Sequence, residues 1–141
     1  MRCVAFAVFA FWMASSACAQ IPAGTWVKRE SPEISMVVEA MGSGYSVTYR
    51  IVGGDGKLTT MTLKTPLDGS ETPFLVNGKP TGQTYAGRRV DSRHTTGVIK
   101  MNGQPFATSK AELSTDGKTI TVENDNAGAS GGKRVEHWDK R

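Results

Sequence analysis

The 141-residue sequence has few side chains that could form a disulfide or hold a metal. Its two cysteines, Cys3 and Cys18, lie within the first nineteen residues, and its two histidines are His94 and His137. Beyond residue 19 there is no thiol, which excludes a disulfide, a thiolate metal site and a cysteine nucleophile there. No H-E-x-x-H motif or other close ligand spacing is present, so we expect neither a metal site nor a cofactor.

The sequence also lacks a hydrophobic run long enough to cross a bilayer as a helix. Residues 4–13 are apolar throughout, but a spanning helix needs about 20 such residues. Arg2 precedes this run, and small residues ending in Ala17-Cys18-Ala19 follow it. This pattern is typical of a secretory signal peptide. We therefore predict a signal peptide over residues 1–19, cleavage before Gln20 and a periplasmic or secreted mature protein.

Cys18 leaves an alternative for the same segment. Small residues followed by a cysteine are typical of a lipoprotein cleavage box, in which the cysteine carries a lipid anchor. Ser15 stands where such boxes usually have leucine. This departure favours simple cleavage after Ala19 over lipidation of Cys18.

No stretch carries enough charge of one sign to indicate a nucleic-acid interface. The 17 lysines and arginines are interleaved with 13 acidic residues, and the formal net charge is +4. The densest basic stretch is residues 88–94. We interpret it as a solvated strand edge or turn, with an anion site as the alternative, and expect no nucleic-acid partner.

From Gly24 onward, short β-prone segments alternate with turn residues, and no long helical pattern is present. Residues 45–52 alternate apolar and polar side chains with the period of two that defines a strand. Asn102-Gly103 and Asp116-Gly117 are strong hairpin signals because both residue types tolerate positive φ. The predicted strands cover residues 24–28, 35–40, 45–52, 58–65, 74–76, 83–91, 95–101, 105–113, 119–122 and 134–139.

This layout predicts one all-β domain over residues 20–141. Strands joined by tight turns pair antiparallel. Closure into an up-and-down barrel of about 8–10 strands removes the open edges that invite aggregation. A two-sheet sandwich is the alternative, although it usually needs longer crossovers. Two segments are expected to be loops, residues 66–73 and residues 124–132.

The interior of such a barrel supplies the candidate binding residues. Large rings with one polar atom can pack in a core or line a cavity for a partly apolar guest. A barrel of about eight strands has room for side chains plus one small ligand. The candidate cavity-lining residues are Tyr45, Val47, Tyr49, Ile51, Tyr85 and Trp138.

No catalytic set can be assembled from the sequence. Ser130 lies on a glycine-rich turn between two predicted strands, whereas a nucleophile elbow requires a strand followed by a helix. We therefore expect a non-enzymatic protein that binds a small, partly apolar molecule. A ligand-free envelope structural or protein-interaction module is the alternative, and an enzyme without a recognisable motif is a third. The sequence does not determine the oligomeric state.

Gly24-Thr25-Trp26 resembles the G-x-W start of lipocalins and fatty-acid-binding proteins. In that superfamily the tryptophan plugs one end of the barrel and often stacks on a basic residue from near the end of the chain. The resemblance implies a plug role for Trp26 and makes Arg134 the positional candidate for its basic partner.

The rest of the chain is similar to a group of small secreted bacterial proteins of uncharacterised function. The similar segments are residues 116–122 (DGKTITV) and the aromatic strand at residues 135–138 (VEHW). Residues 29–33 are too few for the two-helix lid of fatty-acid-binding proteins. Glu136-x-Trp138 stands where those proteins have a carboxylate-binding Arg-x-Tyr. The resemblance therefore implies a lipocalin-like, calycin-type barrel without implying a fatty-acid ligand.

Overall fold

The computed structural model describes residues 21–126 and 132–141, and its regular elements are all β-strands. The ten strands are β1 Gly24–Lys28, β2 Ile34–Met41, β3 Gly44–Val52, β4 Leu58–Thr65, β5 Asp68–Val76, β6 Lys79–Arg89, β7 His94–Met101, β8 Gln104–Leu113, β9 Thr119–Asn126 and β10 Gly132–Lys140. The predicted signal peptide, Cys18 and Ser130 lie outside the described residues.

Each strand pairs antiparallel with its neighbours in sequence, and β1 also pairs with β10, so the sheet closes into a barrel. This confirms the predicted all-β, up-and-down barrel and excludes the sandwich. Each of the strands described therefore has a neighbour on both sides, and closure removes the open edges that invite aggregation. Among the residues described, no helix has the length and apolar character needed to cross a membrane.

Two of the hairpin turns illustrate why these residues break the chain into strands. Asn77-Gly78 and Asn102-Gly103 each place both residues at positive φ, between 49° and 82°. Two such residues in a row give the turn whose twist matches the flanking strands, and asparagine and glycine adopt it at low cost. These turns confirm the sequence prediction.

The prediction that residues 66–73 form a loop is wrong, because β5 already begins at Asp68. The register between β5 and β6 shifts twice, between Asp68 and Glu71 and between Pro73 and Leu75. These irregularities disrupt the alternation by which a strand is recognised. Towards β4, only Leu75 and Val76 are paired, so Pro73 is tolerated on the unpaired side. The loop predicted at residues 124–132 is likewise wrong at both ends, because β9 continues to Asn126 and β10 begins at Gly132. The rest of that segment, residues 127–131, lies outside the described residues.

The hydrophobic core is concentrated at the end of the barrel where β1 begins, which we call the packed end. Trp26, Val38 and Ile120 are the largest fully buried side chains. Tyr45 and Leu113 belong to the same cluster. The barrel interior continues from this cluster towards the opposite end, and that remaining space contains the candidate site.

Candidate functional site

A cavity of about 330 Å³ lies inside the barrel. This volume is at the lower end of the range of about 300–1,000 Å³ for small-molecule sites. The structure places all six sequence-predicted candidates on its wall: Tyr45, Val47, Tyr49, Ile51, Tyr85 and Trp138. Their part in binding a ligand stays a prediction.

Two pairs of aromatic rings belong to the wall. Tyr49 and Trp138 meet edge to face with ring centroids 5.8 Å apart. Phe74 and Tyr85 make a similar contact at 6.3 Å. Edge-to-face pairs of this kind contribute about 0.5–1.5 kcal/mol beyond the burial of their area, and they hold the rings in fixed orientations around the cavity.

Two glycines set the position of Tyr85. Gly87 and Gly97 are cross-strand partners on β6 and β7, and the Tyr85 ring lies over both. A Cβ atom at either position would overlap ring atoms of Tyr85. The absence of side chains at these positions therefore lets the ring lie against the sheet instead of filling the cavity.

Tyr45 lies at the packed end, and its hydroxyl is already engaged. The backbone N–H of Ile21 donates a 2.9 Å hydrogen bond to the Tyr45 hydroxyl. The Arg89 guanidinium lies 5.9 Å from the ring centroid, within the range of a cation–π contact. Tyr45 therefore contributes ring surface to the cavity rather than an available polar atom.

The hydroxyls of Tyr49 and Tyr85 differ from that of Tyr45. Among the described residues, neither makes a hydrogen bond, and no fully buried side-chain polar atom lacks a partner. Neither hydroxyl is therefore completely enclosed by protein, and both residues line the cavity. Burial raises the pKa of Tyr85 and of Tyr49, and for Tyr49 the neighbouring Tyr85 and Glu136 raise it further. Both remain neutral hydrogen-bonding groups at physiological pH.

One part of the wall is polar, and sequence analysis missed it. Lys28, Glu136 and Asn124 lie on the adjacent strands β1, β10 and β9 and line the cavity; we call them the polar wall. Lys28 Nζ donates a 3.0 Å hydrogen bond to Glu136 Oε1, and the two side chains are only 19% and 26% exposed. An ion pair therefore lies inside the barrel.

The two residues assigned to the barrel plug are not brought together. Trp26 is fully buried at the packed end, where its Nε1 donates to the carbonyl of Pro22. On β10, the cross-strand partner of Trp26 is Lys140. Arg134 lies six residues before Lys140 on the same strand, where it is exposed and pairs with Asn124. Arg134 therefore cannot stack on Trp26 as the resemblance implied, and Lys140 is the basic residue of the last strand nearest to it in register.

Both histidines have surface partners. His94 Nδ1 lies 2.7 Å from Asp91 Oδ1, and His137 contacts Glu30. Within residues 21–126 and 132–141, no group of three or more potential metal ligands comes together.

The fold is compatible with a calycin-type barrel. The sequence matches no protein-family profile and no curated protein.

Proposed function

We propose that this protein is a non-enzymatic binding protein whose barrel takes up a small, partly apolar molecule. The observation that carries the proposal is the 330 Å³ interior cavity, which is lined by Tyr49 and Tyr85, whose hydroxyls have no partner among the described residues. An apolar site with a few convergent polar groups is the usual form of a small-molecule pocket.

Export is part of the same proposal. It is supported by the signal-peptide pattern of residues 1–19, with cleavage before Gln20 and a periplasmic or secreted location. Kinship with lipocalins and fatty-acid-binding proteins is proposed on Gly24-Thr25-Trp26 and on the barrel. The position of Arg134 weakens that kinship without affecting the cavity.

Removal of one hydroxyl tests the binding proposal. Tyr49→Phe should change the affinity for a neutral fluorescent probe such as N-phenyl-1-naphthylamine. It should leave the free energy of unfolding within about 1 kcal/mol of the parent, because no described hydrogen-bond partner is stranded. Probe titration and urea unfolding provide the two measurements.

Tyr45→Phe is the matched control. Its hydroxyl accepts the Ile21 N–H, so its removal should cost about 1 kcal/mol or more through the stranded donor. A parent protein that takes up no probe would contradict the proposal and favour a ligand-free interaction module instead.

A further inference from the structure

The polar wall gives the cavity an electrostatic character that the proposed function alone does not specify. Lys28 and Glu136 occupy inward-facing positions beside Trp138: Lys28 is its cross-strand partner, and Glu136 is two residues from it on β10. The adjoining wall on β2 and β3 is apolar at the same depth, where Ile34 pairs with Ile51. A guest in the cavity therefore meets an ion pair with apolar surface beside it.

The ion pair leaves hydrogen-bonding capacity unused. A lysine ammonium has three N–H donors, and a carboxylate has two acceptor oxygens. Only the bond between Lys28 Nζ and Glu136 Oε1 is made within the described residues. The side-chain amides of Asn124 and Gln83 also line the cavity and make no hydrogen bond with another described residue. Donors and acceptors thus lie side by side with no net charge.

A charged guest would not fit this arrangement well. A carboxylate that approached Lys28 would lie against the Glu136 carboxylate, and an ammonium that approached Glu136 would lie against Lys28. In a partly desolvated site, such like-charge contacts and the loss of hydration outweigh the single favourable contact. A neutral group that both donates and accepts can bind the two residues at once without separating them.

The geometry points to a ligand class: an uncharged amphipathic molecule whose polar head carries a hydrogen-bond donor and an acceptor side by side, with Lys28 and Glu136 selecting the head. A primary amide is the simplest head of this kind. This inference rests on the proposed function, because it assigns the chemistry of the guest in the same cavity.

Three probes that share one alkyl chain test the inference: octanamide, octanoate and octylammonium. Each is measured by displacement of bound N-phenyl-1-naphthylamine at neutral pH. Octanamide should bind the parent about tenfold more tightly than either charged probe, because only the charged heads face a like charge.

Two variants should shift the preference between the two charged probes in opposite directions. In Lys28→Met the remaining Glu136 should favour octylammonium over octanoate by about tenfold, whereas in Glu136→Gln the remaining Lys28 should favour octanoate over octylammonium by about tenfold. Arg29→Met and Asp139→Asn are the matched controls, since they break the ion pair between Arg29 and Asp139 on the outer surface and should leave the preference unchanged.

The outcomes separate the two proposals. If the neutral probe binds but the parent holds octanoate or octylammonium as tightly as octanamide, the assigned ligand class is wrong and the binding function stands. The same conclusion follows if the folded variants do not shift in opposite directions. Glu136→Gln is the variant least expected to disturb folding, because glutamine has nearly the same shape as glutamate. If no probe binds the parent, the binding function fails, and the ligand class fails with it.

Discussion

Trp26 is fully buried at the packed end, and its indole N–H is satisfied by the Pro22 carbonyl. Deletion of such a ring leaves a cavity that the neighbouring strands can fill only in part. Trp26→Ala should therefore lower the free energy of unfolding by about 3–5 kcal/mol, measured by urea denaturation.

Phe106→Ala serves as the control for this change. Phe106 is 45% exposed, so its truncation should alter the stability by about 0.5 kcal/mol at most. Equal effects of the two substitutions would show that Trp26 is not the plug of this barrel.

Gly97 tests whether the ring of Tyr85 is held against the sheet as described. Gly97→Ala should destabilise the protein by about 1–3 kcal/mol, because the added methyl group overlaps the ring and forces it into the cavity. Most of that cost should vanish in a Tyr85→Ala background, which a double-mutant cycle measures.

A Cβ atom at Gly54 meets no atom within 4 Å, so Gly54→Ala is the matched control for Gly97→Ala. The proposed position of the ring is contradicted if Gly97→Ala is as mild as Gly54→Ala, or if its cost persists without the tyrosine.

At the scale of the elements, the link between β1 and β2 is attached to the outside of β10. Arg29 makes a two-pronged contact with Asp139, at 2.7 and 3.0 Å. The Glu30 carboxylate accepts the backbone N–H of His137 and contacts its ring. These contacts reinforce the short pairing between β1 and β10, which spans three residue pairs, at the point where the barrel closes.

The attachment predicts a sensitivity to acid. Hydrogen bonds from the side chain and backbone of His137 lower the pKa of Glu30 from 4.5 to about 2. The contribution of a carboxyl group with a depressed pKa is present above its ordinary pKa and is lost as the pH falls through its folded value. Part of the stability should therefore disappear as the pH falls from about 4.5 to about 2.

Glu30→Gln should flatten that part of the stability profile, measured as the urea midpoint against pH. The effect should be modest because Glu30 is partly exposed and screened. Glu33→Gln is the control, because the Glu33 side chain makes no ion pair or hydrogen bond with another described residue. If the urea midpoint of Glu30→Gln falls as much as that of the parent between about pH 4.5 and about pH 2, the proposed role of this contact is wrong.

The elements differ in how far the sequence could predict them. Residues 24–28 and 58–65 have the observed bounds of β1 and β4, because regular alternation ends there at clear turn residues. The strand β5 escaped prediction because its two register shifts disrupt the alternation and its polar residues are typical of a loop. The alternation of side chains along a strand cannot reveal a pairing that is interrupted by register shifts against the neighbouring strand.

The same distinction applies to the site. Tyr49 and Ile51 could be placed on the wall because they share the parity of an apolar face. Lys28 and Glu136 could not, since single charged residues on strands usually face water. Lys28 and Glu136 share the parity of Trp26 and Trp138, each two residues away on the same strand. Their mutual neutralisation across 108 residues of sequence becomes visible only when β1 pairs with β10.

For the molecule as a whole, closure of the barrel and the presence of a cavity are linked. Ten strands enclose more interior than the side chains of the packed end fill, and the glycines beneath Tyr85 keep one large ring against the wall. The remaining 330 Å³ leaves aromatic and apolar surface unpaired with protein atoms, at a cost in packing energy. A guest that fills the cavity would recover that energy.

The most direct test of the central claim is probe binding to a barrel whose cavity has been filled. Ser109 lines the cavity, whereas Thr108, next to it on β8, is exposed. Titration of N-phenyl-1-naphthylamine into the parent, Ser109→Leu and Thr108→Leu should show saturable one-to-one binding by the parent and by Thr108→Leu. Binding by Ser109→Leu should be at least about tenfold weaker, because the added side chain occupies the space of the guest. Equal binding by all three proteins, or no saturable binding by the parent, would contradict the claim that this barrel is built around a small-molecule site.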